Sequence, residues 1–198
     1  MFNDPRIPAD YAALIARIES NNRPYARNPR STASGLYQFV RSTWEQFGGR
    51  WGSQSGVAFG GLHPSVEEQN DRFLSFTSEN ADLLERWGIA INNATLYAAH
   101  FLGASGARGA LSADPSTPIT QVTSADQRRA NPTILRGTVG DFFAWLEGKT
   151  GTHPLAVAQA AHSVAECENC SSLKESLLSI LETNLEPGLM ELRKLLKR

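Results

Sequence analysis

Cysteine is scarce in this 198-residue chain: Cys167 and Cys170 are the only two. A disulfide-stapled scaffold is excluded on that count. As a zinc site the Cys-x-x-Cys is half a ligand set, and although His153 and His162 are near in sequence, the spacing fits no standard finger. A thioredoxin-like redox use would need a βαβ context that is missing, so the pair reads as incidental or structural ahead of metal or disulfide. No run approaches the roughly 18 apolar residues that span a bilayer, and a membrane is not expected as a partner. Charge of one sign is also lacking. With 19 Lys and Arg against 20 Asp and Glu, the formal net charge is −1, which gives no electrostatic basis for binding nucleic acid or an anionic membrane surface. The first residues, Met1-Phe2-Asn3-Asp4-Pro5-Arg6, show no charged region followed by an apolar one, so no signal peptide is expected. Alternating apolar and polar runs of strand length are absent too.

Helical patterning is present. A hydrophobic content of 41% suffices for one substantial core with an appendage. The spacing predicts a first helix over about Ala9 to Ser20, stopping in Asn21-Asn22. A second is predicted from near Gly35, carrying Phe39, Thr43, Trp44 and Phe47, and then a glycine-rich loop over Gly48 to Gly61. Ser65-x-x-Glu68 reads as a capping box that opens a long helix with Phe73, Phe76, Leu83, Leu84 and Trp87 on its apolar face and Gly88 as its stop. Further helices are predicted over Asn93 to Leu102, around Arg108 to Leu111, and over Thr138 to Glu147 with Gly148 as stop. Ser112 to Arg136 reads mostly as loop. The sum is an all-α domain over residues 1–148, followed by a linker and helical tail over 149–198.

One stretch, Ile15 to Phe39, stands apart chemically. Tyr11, Leu14, Ile15 and Ile18 recur at helical spacing, which puts Glu19 at the edge of a buried stripe near a helix C-terminus. Partial burial and the negative end of the helix dipole both disfavour an ionised carboxyl there. That is the setting a general acid requires. A polar loop and the turn Ser34-Gly35-Leu36-Tyr37-Gln38-Phe39 follow.

Glu19-Ser20, then Gly35-Leu36-Tyr37-Gln38, then Thr43-Trp44 in register resembles the soluble lytic transglycosylase family. The resemblance runs from about Pro8 to Gly148. Tyr97-Ala98-Ala99-His100-Phe101 stands where the family has its third motif. Ala130-Asn131-Pro132 through Ile134, with Asp141-Phe142-Phe143, is similar to the closing segment of its phage-associated and export-apparatus-associated branches. The resemblance implies a lysozyme-like fold with a deep substrate groove and peptidoglycan glycan strands as substrate. It also implies a single catalytic carboxylate, Glu19, with no metal or organic cofactor. Around Glu19 it implies a substrate-binding set of Asn28, Ser34, Tyr37, Gln38 and Phe39, with Tyr97 or His100 supporting the acid.

Tyr37 stands where the family usually has Met, and Ala99-His100-Phe101 where it usually has Ala-Tyr-Asn. Tyr97 and His100 share a helix face, so either can present a polar group. Substitution of Tyr37 or Gln38 by alanine is expected to weaken substrate use at little cost in stability. Three functions are weighed: a lytic transglycosylase; a lysozyme admitting water with a second acid such as Glu45 or Asp71; and a non-catalytic structural component of a virion or apparatus. The enzyme is expected to act in the periplasm or cell wall, delivered by a virion or secretion machine. Residues 155–198 are a candidate docking segment for a virion or secretion-apparatus protein.

Overall fold

The computed structural model describes residues 4–155. The tail with Cys167 and Cys170 lies outside them. The described residues form six α-helices and two 3-10 turns, with only isolated bridges in place of strands. The all-α class expected from the sequence is what the described residues adopt. It divides into two compact units between Glu79 and Asn80.

The first unit holds α1 (Tyr11–Ser20), α2 (Arg41–Gln46), a 3-10 turn (Ala58–Gly61) and the start of α3 (Val66–Arg86). The stripe of α1 is buried at Tyr11, Leu14 and Ile15, and the helix stops where Asn21 takes a left-handed conformation (φ 54°, ψ 44°). Helix α3 opens as its capping residue dictates: the Glu68 backbone N–H donates to Ser65 Oγ at 3.0 Å. The Glu68 carboxylate accepts from Arg72 at 2.6 Å. Phe73, wholly buried, is the hub of an aromatic core. Tyr37 stacks on it at 3.8 Å between ring centres, Tyr11 at 5.6 Å, and Phe39 meets it edge-on at 6.3 Å. Such contacts add to the area these rings remove from water.

The second predicted helix starts later than its sequence suggests. Ser34 N–H donates to the Phe39 carbonyl, closing a turn, and Gln38 has φ +49°, which a continuing helix forbids. Phe39 therefore precedes α2 and packs into the core on Trp44 and Phe76.

The second unit completes α3 and holds α4 (Asn93–Leu111), a 3-10 turn (Ile119–Gln121), α5 (Ala125–Ala130) and α6 (Val139–Thr150). The end of α3 is a Schellman motif: Ile89 N–H donates to the Leu84 carbonyl and Gly88 N–H to that of Glu85. Helix α4 breaks at Gly103 (φ 68°, ψ 161°), which separates the two predicted helical runs. The Leu102 carbonyl accepts from Gln127 Nε2 at 2.6 Å, while Gln127 Oε1 accepts from Ser124 N–H to complete the capping box of α5. Helix α5 falls inside a stretch read as loop. Helix α6 outruns its predicted stop and ends at Gly151 (φ 70°), so Lys149 and Thr150 of the predicted linker are helical. Tyr97, Phe101, Phe142 and Trp145 pack together between α4 and α6, with Phe101 and Trp145 at 4.7 Å.

Candidate active site

Glu19 sits one residue before the end of α1, half-buried. Its charge is felt by Tyr11, whose hydroxyl is pushed well above its ordinary pKa, first by complete burial and then by the Glu19 carboxylate.

A ladder of short-range bonds leads from Glu19-Ser20 to the Gly35–Gln38 turn. Ser20 Oγ donates back to the Ala16 carbonyl at 2.9 Å, fixing the last turn of α1. The Ser20 carbonyl accepts from Arg23 Nε at 3.0 Å, and the Arg23 carbonyl accepts from Ala26 N–H at 3.1 Å. The Ala26 carbonyl in turn accepts from Gly35 N–H at 2.8 Å and from Gln38 Nε2 at 3.3 Å. The two motifs found in the sequence are bonded to each other through Ala26.

A second clasp comes from a residue that sequence reasoning missed. Gln69 of α3 is 1% exposed. Its Oε1 accepts from Leu36 N–H at 2.9 Å, and its Nε2 donates to the carbonyls of Pro24 and Pro64 at 3.1 and 3.2 Å. One side chain therefore joins the loop after Glu19, the turn and the start of α3. Its signal was available: Gln69 lies four residues before Phe73, a polar residue on the apolar face of a helix. Gly35 is required at this clasp. It has φ +83°, and a Cβ there would come within 2.4 Å of the Phe59 ring and 2.5 Å of Gln69 Oε1.

The other sequence-chosen residues are placed as follows. Ser34 is buried; its hydroxyl donates to the Thr32 carbonyl at 2.9 Å and accepts from Phe59 N–H at 3.3 Å. Gln38 Nε2 donates also to the Gly35 carbonyl at 3.0 Å. Asn28 is exposed and its Oδ1 accepts from Arg30 N–H at 2.9 Å. Phe39 is a core ring. Tyr97 and His100 lie one turn apart on α4 in the second unit, their rings stacked at 6.1 Å, with Tyr97 buried and His100 half-buried.

Tyr37 needs a correction. It is 3% exposed, and its hydroxyl donates to Asn70 Oδ1 at 2.7 Å. Burial raises its pKa to about 12. The expectation that Tyr37→Ala costs little stability fails on this packing. Truncation is expected to destabilise the protein by about 3–5 kcal/mol, as for other large aromatic core residues. Urea unfolding of the purified variant measures it, and a loss under about 1 kcal/mol, the scale of a tolerated core swap, would show that the ring is dispensable to the core.

Residues 3–58 match the family model described as Transglycosylase SLT domain. The matched segment contains α1 with Glu19, the Gly35–Gln38 turn and α2, and ends before Tyr97 and His100. No curated protein matches the chain. The family match supports the lytic transglycosylase family and, with it, a transglycosylase acting on peptidoglycan.

Proposed function

We propose that the protein is a peptidoglycan lytic transglycosylase that cleaves the β-1,4 bond between N-acetylmuramic acid and N-acetylglucosamine, with Glu19 as its one catalytic carboxylate. The reading is carried by the position of Glu19, half-buried at the end of α1 next to Ser20, whose carbonyl is linked through Arg23 and Ala26 to the Gly-Leu-Tyr-Gln turn, inside the segment that matches the family model. Ordinary glycoside hydrolysis uses two carboxylates, about 5–9.5 Å apart according to mechanism. One suffices when the substrate carries its own nucleophile. The 2-acetamido oxygen of N-acetylmuramic acid attacks the anomeric carbon as Glu19 gives its proton to the departing glycosidic oxygen. The Glu19 carboxylate then takes the proton of the C6 hydroxyl, whose oxygen displaces the acetamido group from the anomeric carbon. A 1,6-anhydro ring closes and Glu19 is protonated again. No water is consumed. Gln38 and Asn28 offer amides to the acetamido group.

The biological role we propose is local opening of the cell wall by a phage particle or by a secretion or flagellar machine. The resemblance of Ala130-Asn131-Pro132 and Asp141-Phe142-Phe143 to the closing segment of those branches supports it. Digestion in ¹⁸O-labelled water tests the chemistry. Products without added label are expected; labelled reducing ends would identify a lysozyme instead, and an absence of products a binding component.

A further inference from the structure

Charge is balanced over the whole chain but not locally. Between Ser20 and Pro64 there are five arginines, Arg23, Arg27, Arg30, Arg41 and Arg50, against a single carboxylate, Glu45. Two of them line a concavity in the first unit. A depression of about 440 Å³ is bordered by Tyr25, Arg27, Gln54, Val57, Leu62 and His63. Sharing Arg27, Gln54 and Val57, it continues into a second of about 220 Å³ that adds Arg41 and Trp51. No carboxylate lines either one.

The groove is preformed. Its far wall is a loop closed on itself by Gly52 N–H on the Phe59 carbonyl and Gln54 N–H on the Gly60 carbonyl, each at 2.9 Å. Phe59 is held at φ +51°, a conformation a bulky residue seldom takes, because its ring is wholly buried against Trp44 and Trp51. A rigid wall lowers the ordering cost of binding.

The lining has two characters. Tyr25, Val57 and Leu62 are 45%, 42% and 37% exposed and form an apolar ledge, with His63 edge-on to Tyr25 at 5.0 Å. Arg27 and Arg41 add guanidinium groups to the lining. Among the described residues no hydrogen-bond or ion-pair partner holds the Arg27 side chain. Arg41 pairs with Glu45 at 3.0 Å, where both side chains are about half exposed, a weak and exchangeable contact. A guanidinium fork matches a carboxylate in two parallel hydrogen bonds. A neutral glycan has no use for two such forks. In peptidoglycan the carboxylates are carried by the stem peptides, beside small apolar alanine side chains.

We propose that this groove binds the stem peptide of peptidoglycan, with Arg27 and Arg41 on its carboxylates and the Tyr25–Val57–Leu62 ledge on its apolar side chains. The assignment rests on the reading of peptidoglycan as substrate, and makes the protein selective for glycan that still bears its peptides.

The test is calorimetric titration of the full chain with an N-acetylmuramoyl peptide bearing free carboxylates, and with the same compound amidated. The free acid is expected to bind at least about tenfold more tightly, the scale of one charge-assisted hydrogen bond. High salt narrows the gap, because exposed charges are screened. In a variant carrying Arg27→Gln and Arg41→Gln, with melting matched to the parent, the gap closes; with Arg27→Lys and Arg41→Lys only part of it returns, because lysine keeps the charge and loses the fork. Equal affinity for the two compounds in the parent overturns the proposal, as does a gap that survives both glutamine substitutions. Tighter binding of a glycerol phosphate oligomer than of the peptide overturns the choice of occupant. Binding is read here without turnover. A peptide that fails to bind a protein that clears cell walls refutes the groove alone, whereas labelled reducing ends refute the catalytic reading and leave the groove intact.

Discussion

Glu19→Gln is expected to abolish clearing of purified sacculi while leaving the protein folded. Glutamine has nearly the shape of glutamate but carries no proton acidic enough to give to a leaving oxygen, and no carboxylate to take one back. Loss of general acid–base catalysis costs about 10²–10⁴-fold. Because Glu19 would serve in both half-reactions, the upper end of that range is expected. Stability should hardly change. The anchors of α1 are Tyr11, Leu14 and Ile15 on the buried face and the Ser20 Oγ bond to the Ala16 carbonyl, and none is touched by the substitution. Turnover within a few-fold of the parent, at equal protein and matched melting, would remove Glu19 from the mechanism.

The second large effect is expected at Gln69. Gln69→Leu keeps the approximate volume of the side chain and deletes its three hydrogen bonds, to Leu36 N–H and to the carbonyls of Pro24 and Pro64. Leu36 is itself buried, so its N–H is left without water as a substitute. Each buried polar group so orphaned costs about 1–3 kcal/mol. Three together reach several kcal/mol against a total margin of about 5–15 kcal/mol. Melting should fall by roughly 10 °C in a chain of this size. The loss reaches the candidate site, because the Pro24 loop and the Leu36 turn are the two segments Gln69 joins. Unchanged melting of Gln69→Leu would show that the clasp is not needed.

Local signals were legible in the sequence, and long-range ones were not. The stop of α1 at Asn21, the start of α3 at Ser65 and its stop at Gly88 each depend on a residue's own side chain or its own φ, and each is where the sequence puts it. Helix α5 was equally legible in principle, since Ser124-x-x-Gln127 is a capping box of the same kind as Ser65-x-x-Glu68, but it lies in a Ser, Thr and Pro-rich stretch that reads as loop. Gly148 was mistaken for a stop. A glycine inside a helix costs only about 1 kcal/mol, and Leu146 and Thr150, both buried, carry α6 past it. The burial of Tyr37 was beyond reach for a different reason. A tyrosine in a Gly-Leu-Tyr-Gln turn shows nothing of the phenylalanine 36 residues on that it stacks against. The place of Glu19 was readable because it is local, one carboxylate at a helix end, whereas the arginine groove is assembled from a loop that only folding brings together.

In the proposed reaction a single carboxylate cleaves glycan strands without water. Mass spectrometry of the muropeptides released from purified sacculi by the full chain tests it most directly. Muropeptides ending in 1,6-anhydro-N-acetylmuramic acid are expected, absent with Glu19→Gln at matched protein. Reducing N-acetylmuramic acid ends would contradict the account.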